Sequence, residues 1–336
     1  MTGSQLIEAA TGGDQAAFAE LVQPHRRVLH AHCYRMLGSL QDAEDAVQET
    51  LLRAWRSLSS FQGRSSLRSW LYSIATNVSL RAIERRPSRV LPIDYGPSAD
   101  PHAPIQAPLL ESVWMDPYPD AQLGLDDDLA GPEARYEQRE SIELAFIAAL
   151  QLLPPRQRAV LILRDVLGFS GAEVAEALDT TPASVYSALQ RAHATLEERR
   201  PERTQQATRR SLGDEQLKGI VARYVEAWAR NDVDALVGML TDTATLAMPP
   251  IPSWYRGREA IESVLRSAVF DGTRSWRMLP TTANGQLAVG AYELDSSGVY
   301  APHGVTVLTL EVERIEEIIH FRTPSMIEAF GLPAQA

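Results

Sequence analysis

Cysteine and lysine are almost missing from this chain. Cys33 is the only cysteine among 336 residues, so neither an intrachain disulfide nor a cysteine-rich metal site can form. We expect its side chain to be a small buried apolar group, and we predict no metal and no cofactor. Lys218 is the only lysine, so arginine carries nearly all of the positive charge.

Long apolar runs are missing as well. No stretch approaches the roughly 20 apolar residues that a membrane-spanning helix needs. The first residues, MTGSQLIEAATGGD, lack the basic and then apolar layout of a signal peptide. We therefore expect a cytoplasmic protein that does not contact a membrane.

Residues 1–200 also lack the motifs of common catalytic sites. They contain no paired carboxylates, no glycine-rich phosphate loop and no nucleophile beside a base. This part of the chain is therefore predicted to bind rather than to catalyse.

Charge is unevenly distributed along the chain. The formal net charge is −11, which is unexpected for a nucleic-acid-binding protein, but charges act over only about 10 Å at ordinary salt. Eight arginines and one acid, Glu84, lie between Arg53 and Arg89, whereas residues 90–140 contain eleven acids and two arginines. A basic segment is therefore available for nucleic acid despite the acidic total.

Two linkers divide the chain into three modules. Residues 87–139 hold nine of the 21 prolines and show no clear periodicity, so we interpret them as an acidic, largely extended and non-globular linker. A second break falls at 201–213. The predicted modules are an all-helical domain at 1–86, a second helical domain at 140–200, and a C-terminal domain at 214–330.

The second module contains a helix-turn-helix pattern. Ser170 and Glu173 have the spacing of a capping box. Thr181 is a candidate N-cap before Pro182, and apolar residues then recur at helical spacing toward the core. The face left outside carries Ser184, Ser187, Gln190 and Arg191, which suit base edges, and it ends in Arg199 and Arg200, which suit phosphates. A plain two-helix hairpin of a helical domain is the alternative.

The first module carries an acidic stripe. If Val47, Leu51 and Ala54 face the core, helix geometry places three acids on the opposite face and a fourth at its margin. These acids are Asp42, Asp45, Glu49 and, at the margin, Glu44. The stripe suits a basic partner, although a solvated helix face would have the same pattern.

Arginines alternate with aromatic residues after this stripe. The segment FQGRSSLRSWLYSIATNV includes Phe61, Trp70, Tyr72 and Asn77, a mixture that suits melted or single-stranded nucleic acid. Trp70 also fits a buried stripe with Leu71 and Ile74, so a packing role is equally open.

Taken together and in this order, these motifs resemble the extracytoplasmic-function sigma factors, members of the sigma-70 family of bacterial RNA polymerase. AFAELVQPHRRVLHAHCYRMLGSLQDAEDAVQETLLRAW, FQGRSSLRSWLYSIATNV and LPPRQRAVLILRDVLGFSGAEVAEAL carry the resemblance, which covers residues 1–200. It implies that the first module contacts core polymerase and the promoter minus-ten element, and the second the minus-thirty-five element. The core contacts would be Asp42, Glu44, Asp45 and Glu49; the minus-ten contacts Arg64, Ser66, Asn77 and Arg81; the minus-thirty-five contacts Thr181, Ser184, Ser187, Gln190 and Arg191.

The third module combines helices with strands. Two helices in DEQLKGIVARYVEAWARNDVDALVGML precede four alternating segments, SWRMLPTTAN, QLAVGAYELD, GVTVLTLEV and RIEEIIHFRT. The layout resembles SnoaL-like domains, cone-shaped α+β folds in which a curved antiparallel sheet and helices enclose an apolar pocket. The pocket residues would be Trp228, Trp254, Tyr255, Trp276, His303 and His320.

Two functions are compatible with this third module. Our main hypothesis is that the domain packs on the sigma modules or the linker and regulates promoter use, so that the chain is not an enzyme. The alternative is a DNA-binding regulator fused to a ligand-converting SnoaL-like enzyme, since His303 or His320 with Tyr255 suits acid–base chemistry. The segment from Trp114 to Asp120 is a candidate docking strip, with plain linker as its alternative. A small ligand and a separate anti-sigma factor remain open as partners.

Overall fold

The computed structural model describes residues 3–61, 63, 66–85, 88–109, 113–123, 141–197 and 204–336. The chain divides into two compact units. The first unit takes its described residues from 1–89, 122–141 and 145–200. The second takes them from 90–121, 142–144 and 201–336.

The first unit is helical. Its helices are α1 (Gly3–Thr11), α2 (Gln15–Val22), α3 (Arg26–Leu37), α4 (Leu40–Ser57), α5 (Leu67–Ile83), α7 (Leu144–Leu152), α8 (Pro155–Leu161), α9 (Gly171–Ala177) and α10 (Pro182–Glu197). Short polar side chains at Asp14, Ser39 and Ser66 accept backbone N–H groups at the starts of α2, α4 and α5. These caps fix where each helix begins.

Apolar side chains close the first unit. Cys33 is completely buried, as the sequence predicts, and burial raises the pKa of its thiol to about 12. Phe61 and Trp70 pack on a cluster that includes Leu6, Leu21 and Leu58. The ring centroids of Phe61 and Trp70 are 5.1 Å apart. The structure therefore supports a packing role for Trp70.

The second unit is an α+β domain. Its helices are α6 (Pro92–Tyr95), α11 (Gln205–Ala229), α12 (Val233–Gly238), α13 (Arg258–Val264) and α14 (Met326–Ala329), and its strands are β1 (Leu240–Ala247), β2 (Trp254–Arg256), β3 (Trp276–Ala283), β4 (Gln286–Leu294), β5 (Tyr300–Glu311) and β6 (Arg314–Phe321). The strand order is β2-β1-β6-β5-β4-β3. All neighbouring strands are antiparallel except β1 and β6, which are parallel. The sheet is therefore mixed rather than wholly antiparallel.

The described part of the acidic linker belongs to this second unit. It is largely extended, as predicted, but it is not free of packing, because Trp114, Met115 and Tyr118 are buried. The backbone N–H of Tyr118 donates to Oδ1 of Asn284 at 2.7 Å, and the N–H of Asn284 donates to the Tyr118 carbonyl at 2.8 Å. The strip thus docks on the turn between β3 and β4. Its aromatic side chains give it enough apolar surface to pack despite the prolines.

Candidate functional sites

The predicted acidic stripe on α4 is only partly a surface feature. Asp42 is 7% exposed and its carboxylate pairs with the Arg89 guanidinium at 2.5 Å. The sequence places Asp42 on the outer face, but it lies in the first turn of α4, where Arg89 covers it. Asp45 is exposed, and the side chains of Glu44 and Glu49 are about two-fifths exposed. The accessible stripe therefore consists of Glu44, Asp45 and Glu49.

A groove of about 380 Å³ runs between α4 and α5. Asp45 and Glu49 line one side, and Arg81 and Arg85 line the other. Arg53 donates to the Glu49 carboxylate at 2.6 Å. The structure thus brings Arg81, a predicted minus-ten residue, beside two predicted polymerase contacts, with both signs of charge at one surface.

The remaining minus-ten candidates differ in accessibility. Arg64 lies outside the described residues. Ser66 is exposed, and its hydroxyl caps α5 by accepting the N–H of Ser69 at 3.0 Å. The Asn77 amide donates to the carbonyls of Ser73 at 2.9 Å and Ala177 at 3.1 Å. Asn77 is thus engaged by the other helical module.

The helix-turn-helix has the predicted local structure. Ser170 and Glu173 form both hydrogen bonds of the capping box, and the Thr181 hydroxyl accepts the Ser184 N–H at 3.2 Å. Val185 and Ala192 are fully buried.

The predicted recognition residues of this motif are all exposed: Thr181, Ser184, Ser187, Gln190 and Arg191. Arg191 donates to the Ser187 hydroxyl at 2.6 Å, which holds both on one face of α10. The predicted phosphate contacts Arg199 and Arg200 lie outside the described residues.

The two helical modules contact each other within the first unit. Besides Asn77, Ser73 of α5 donates to the Ala177 carbonyl at 3.3 Å, and Arg68 donates to the Leu167 carbonyl at 3.0 Å. The Arg68 guanidinium also lies 4.7 Å from the Phe169 ring centroid. The α5 face predicted to capture unpaired bases therefore packs on the support helix α9. No sequence signal marks Arg68 or Ser73, because both look like ordinary helix-surface residues.

A cavity lies in the C-terminal domain between the sheet and helix α11. Trp228, Trp276, His303 and His320 line it, as predicted. Trp254 and Tyr255 do not: the indole of Trp254 donates to the Gly96 carbonyl at 2.7 Å, and Tyr255 is buried in the hydrophobic core. β2 is an edge strand, so its side chains meet the linker and core instead of the cavity.

Two histidines in this cavity form a hydrogen-bonded chain. His303 Nδ1 lies 2.8 Å from His320 Nε2, and His320 Nδ1 lies 2.8 Å from the Thr306 hydroxyl. Burial, followed by the charges of Arg322 and Arg274, lowers the pKa of His303 to about 4. Burial and His303 lower the pKa of His320 well below its usual value. Both rings are therefore neutral at pH 7.

Neither a metal centre nor a membrane span is found in the part of the chain that the structure describes. No group of three or more potential metal-ligating side chains comes together there. None of the helices traced there is both long and apolar enough to cross a bilayer.

Family models match all three modules. Residues 21–89 match Sigma-70 region 2, residues 143–196 match Sigma-70, region 4, and residues 221–318 match the SnoaL-like domain.

Known proteins match the whole arrangement. The chain is 44% identical over 321 residues to ECF RNA polymerase sigma factor SigG of Mycobacterium tuberculosis, covering 94% of this chain and 84% of that protein. It is 32% identical over 201 residues to ECF RNA polymerase sigma factor SigE of Mycolicibacterium smegmatis, covering 58% and 66%. The crystal structure of the M. tuberculosis extracytoplasmic function sigma factor SigJ matches with a TM-score of 0.57 at 21% identity, covering 94% of this chain and 99% of that one, so the fold is shared. The chain belongs to the extracytoplasmic-function RNA polymerase sigma factors, in a form that carries a C-terminal SnoaL-like domain.

Proposed function

We propose that this chain binds bacterial RNA polymerase core in the cytoplasm, directs it to specific promoters, and is held in check by its own C-terminal domain. Family membership supports the first part. The proposed polymerase surface is the accessible stripe of Glu44, Asp45 and Glu49, with Asp42 supporting it through Arg89. The proposed minus-thirty-five surface is the exposed face of α10.

The contact between Asn77 and Ala177 is the observation that carries the control mechanism. Because the Asn77 amide nitrogen donates to two protein carbonyls, it has no N–H left to donate to a promoter base. Minus-ten capture through Asn77 therefore requires α9 to leave α5. The arrangement in which α9 packs on α5 is the inactive one, and promoter binding selects a separated arrangement.

The C-terminal domain controls the separation of α9 from α5 through the linker. Residues 90–121 connect the two helical modules along the chain but pack with the C-terminal domain. While Tyr118 is paired with Asn284, residues 90–118 contribute no length to the separation of the two modules. Release of the strip would restore the reach of the linker.

Run-off transcription with core polymerase tests the promoter function. Templates are chosen by genome-wide binding of the full-length protein. We expect transcripts with the native chain, and a loss of at least tenfold with Asn77→Ala. Gln216→Ala, an exposed change on α11, is the control. Absence of transcript from both the native protein and Tyr118→Ala on every selected promoter would reject the proposal.

The control mechanism is tested by the same assay with Tyr118→Ala. This change empties a fully buried site on the β3–β4 turn and should raise the transcript yield several-fold. Gln106→Ala, an exposed change in the same linker, should leave the yield unchanged. Equal yields from native protein and Tyr118→Ala would show that the strip exerts no control.

A catalytic C-terminal domain is the second candidate, and the neutral histidine pair favours it because a neutral imidazole can accept a proton. In that case His320→Gln should abolish conversion of the domain's ligand while run-off transcription stays unchanged. A purely regulatory domain predicts binding without turnover.

A further inference from the structure

The cavity of the C-terminal domain has the features of a binding site for a particular class of molecule. Its volume of about 70 Å³ exceeds the roughly 10–15 Å³ that one water needs. Most of its wall is apolar, with polar groups gathered near His303, Arg274 and Arg322. We propose that it binds a small apolar carboxylate, whose ring or chain lies on the aromatic wall and whose charge meets the two arginines.

Aromatic rings form one continuous wall. Tyr224 and Trp228 have ring centroids 6.1 Å apart, Trp228 and Trp276 are 5.5 Å apart, and Trp276 and His303 are 4.9 Å apart. Trp228 and Trp276 meet nearly edge to face, at 80°. A flat apolar group could pack against this wall over a large area, and the side chains would not have to rearrange.

Two buried polar atoms of this wall lack hydrogen bonds. The Tyr224 hydroxyl and the Trp228 indole nitrogen have no partner of normal geometry among the residues that the structure describes. Burial raises the pKa of Tyr224, and the nearby Trp228 offsets this rise only in part, so both groups stay protonated and able to donate. Unpaired buried donors are costly, and a ligand that also carries an oxygen away from its carboxylate would satisfy them.

The charged groups at the polar end are Arg274, Arg322 and Glu293, which lie near the two neutral histidines. Arg274 lies 3.4 Å from Glu293. Arg322 is partly buried, and no described carboxylate lies within ion-pair distance of its guanidinium. Burial and then Arg274 lower the pKa of Arg322, while Glu293 opposes them. One positive charge is therefore left without a close counterion, and a carboxylate is the group that a guanidinium binds best, through two parallel hydrogen bonds.

The linker contributes Ile105 to the lining of the cavity. The neighbouring N–H groups of Ala99 and Leu109 donate to the carbonyls of Trp254 and Pro250 at 2.8 and 2.9 Å. A molecule in the cavity would touch Ile105 and stabilise the docked linker. Occupancy and linker release therefore oppose each other.

Titration calorimetry on the full-length protein tests the proposal with two pairs of probes. Benzoate and 2-naphthoate are the carboxylates, and benzamide and 2-naphthamide are their neutral counterparts of nearly equal shape. We expect at least one carboxylate to bind saturably, at least tenfold more tightly than its amide, and to raise the Tm of the C-terminal domain.

Variants of Arg322 test whether this arginine binds the carboxylate. Arg322→Gln should bring the carboxylate-to-amide ratio close to one, and Arg322→Lys should keep most of it. Arg277→Gln, an exposed change on the same sheet, should leave it unaltered. Failure of both carboxylates to bind, equal affinities within each pair, or an unchanged ratio in Arg322→Gln would overturn the proposal. If Arg322→Gln fails to fold, Arg322→Met, which keeps most of the aliphatic stem and removes the charge, takes its place with the same expected ratio.

Discussion

At the scale of single residues, the first unit depends on a buried arginine that no motif singles out. Arg158 is 2% exposed, and its guanidinium donates to the carbonyls of Met36, Gln151 and Leu153 and to the Gln151 side chain. Burial lowers its pKa to about 10, so it stays charged at pH 7. Because Met36 lies at the end of α3 and Arg158 lies in α8, this side chain joins the two helical modules.

Arg158→Ala should lower the free energy of unfolding of the first unit by about 3 kcal/mol, because several buried carbonyls lose their donor. Urea denaturation followed by circular dichroism measures it. Arg156→Ala removes an exposed arginine from the same helix and should change stability by less than about 0.5 kcal/mol. Similar losses from the two variants would contradict this role for Arg158.

A carboxyl and a histidine of the C-terminal domain respond to pH in opposite directions. Burial, with smaller effects of Glu316 and Asp94, raises the pKa of Glu317 to about 7 against a hydrogen bond from Thr309. The folded state therefore binds an extra proton between about pH 4.5 and 7 and gains stability as the pH falls. His303, with its pKa of about 4, makes the folded state bind fewer protons between about pH 4 and 6.5, so stability is lost as the pH falls.

Glu317→Gln should remove the stability that Glu317 adds as the pH falls, so that only the loss caused by His303 remains. Thermal unfolding monitored by tryptophan fluorescence from pH 7.5 to 4.5 should show a steeper loss of Tm in Glu317→Gln than in the native protein. Glu328→Gln, an exposed change in α14, should follow the native curve. Parallel curves for all three proteins would show that Glu317 does not take up this proton.

At the scale of elements, the sequence predicted the strands and turns that depend on residues close together in the chain. β3, β4 and β6 match three of the alternating segments to within two residues at each end, and β5 contains most of the fourth but begins four residues before it, at Tyr300. The Asn284-Gly285 turn has the two positive φ angles, 54° and 69°, that a tight hairpin turn needs. No sequence pattern predicts β1, because its burial pattern is irregular and its partner β6 lies about 70 residues later in the chain.

The candidate sites also differ in whether they depend on nearby or distant residues of the chain. The exposed face of α10 follows from helical periodicity. The burial of Asp42 under Arg89 and of Tyr118 on Asn284 depends on residues 47 and 166 positions away, and periodicity within one segment carries no information about such partners.

The α10 helix allows one quantitative test of DNA binding. Arg191→Ala should weaken binding to selected promoter fragments about tenfold and leave binding to unrelated DNA almost unchanged, as expected for one lost base contact. Fluorescence anisotropy with both kinds of DNA measures this difference. Arg230→Ala removes one exposed arginine from the other unit and serves as the charge-matched control. An equal loss of affinity for promoter and unrelated DNA in Arg191→Ala would exclude a base contact.

At the scale of the whole molecule, polymerase binding should separate the two helical modules. Glu20→Cys in α2 and Ala194→Cys in α10 place dyes on exposed positions, while buried Cys33 stays unlabelled. Addition of core polymerase should lower the energy transfer between the dyes, because the proposed function requires α9 to leave α5 before Asn77 can bind a promoter base. Transfer that stays constant in a transcribing complex would rule out the opening step.

The pairing of Tyr118 with Asn284 also sets an order of events during synthesis. The two residues are 166 positions apart, so at 5–20 residues per second the ribosome takes on the order of ten to thirty seconds to reach the second after the first. During that interval both helical modules exist on a nascent chain whose linker has nothing to hold it. Under the proposed function, a message or protease that ends the product early would release a sigma factor without its restraint, whereas complete translation would deliver the restrained form.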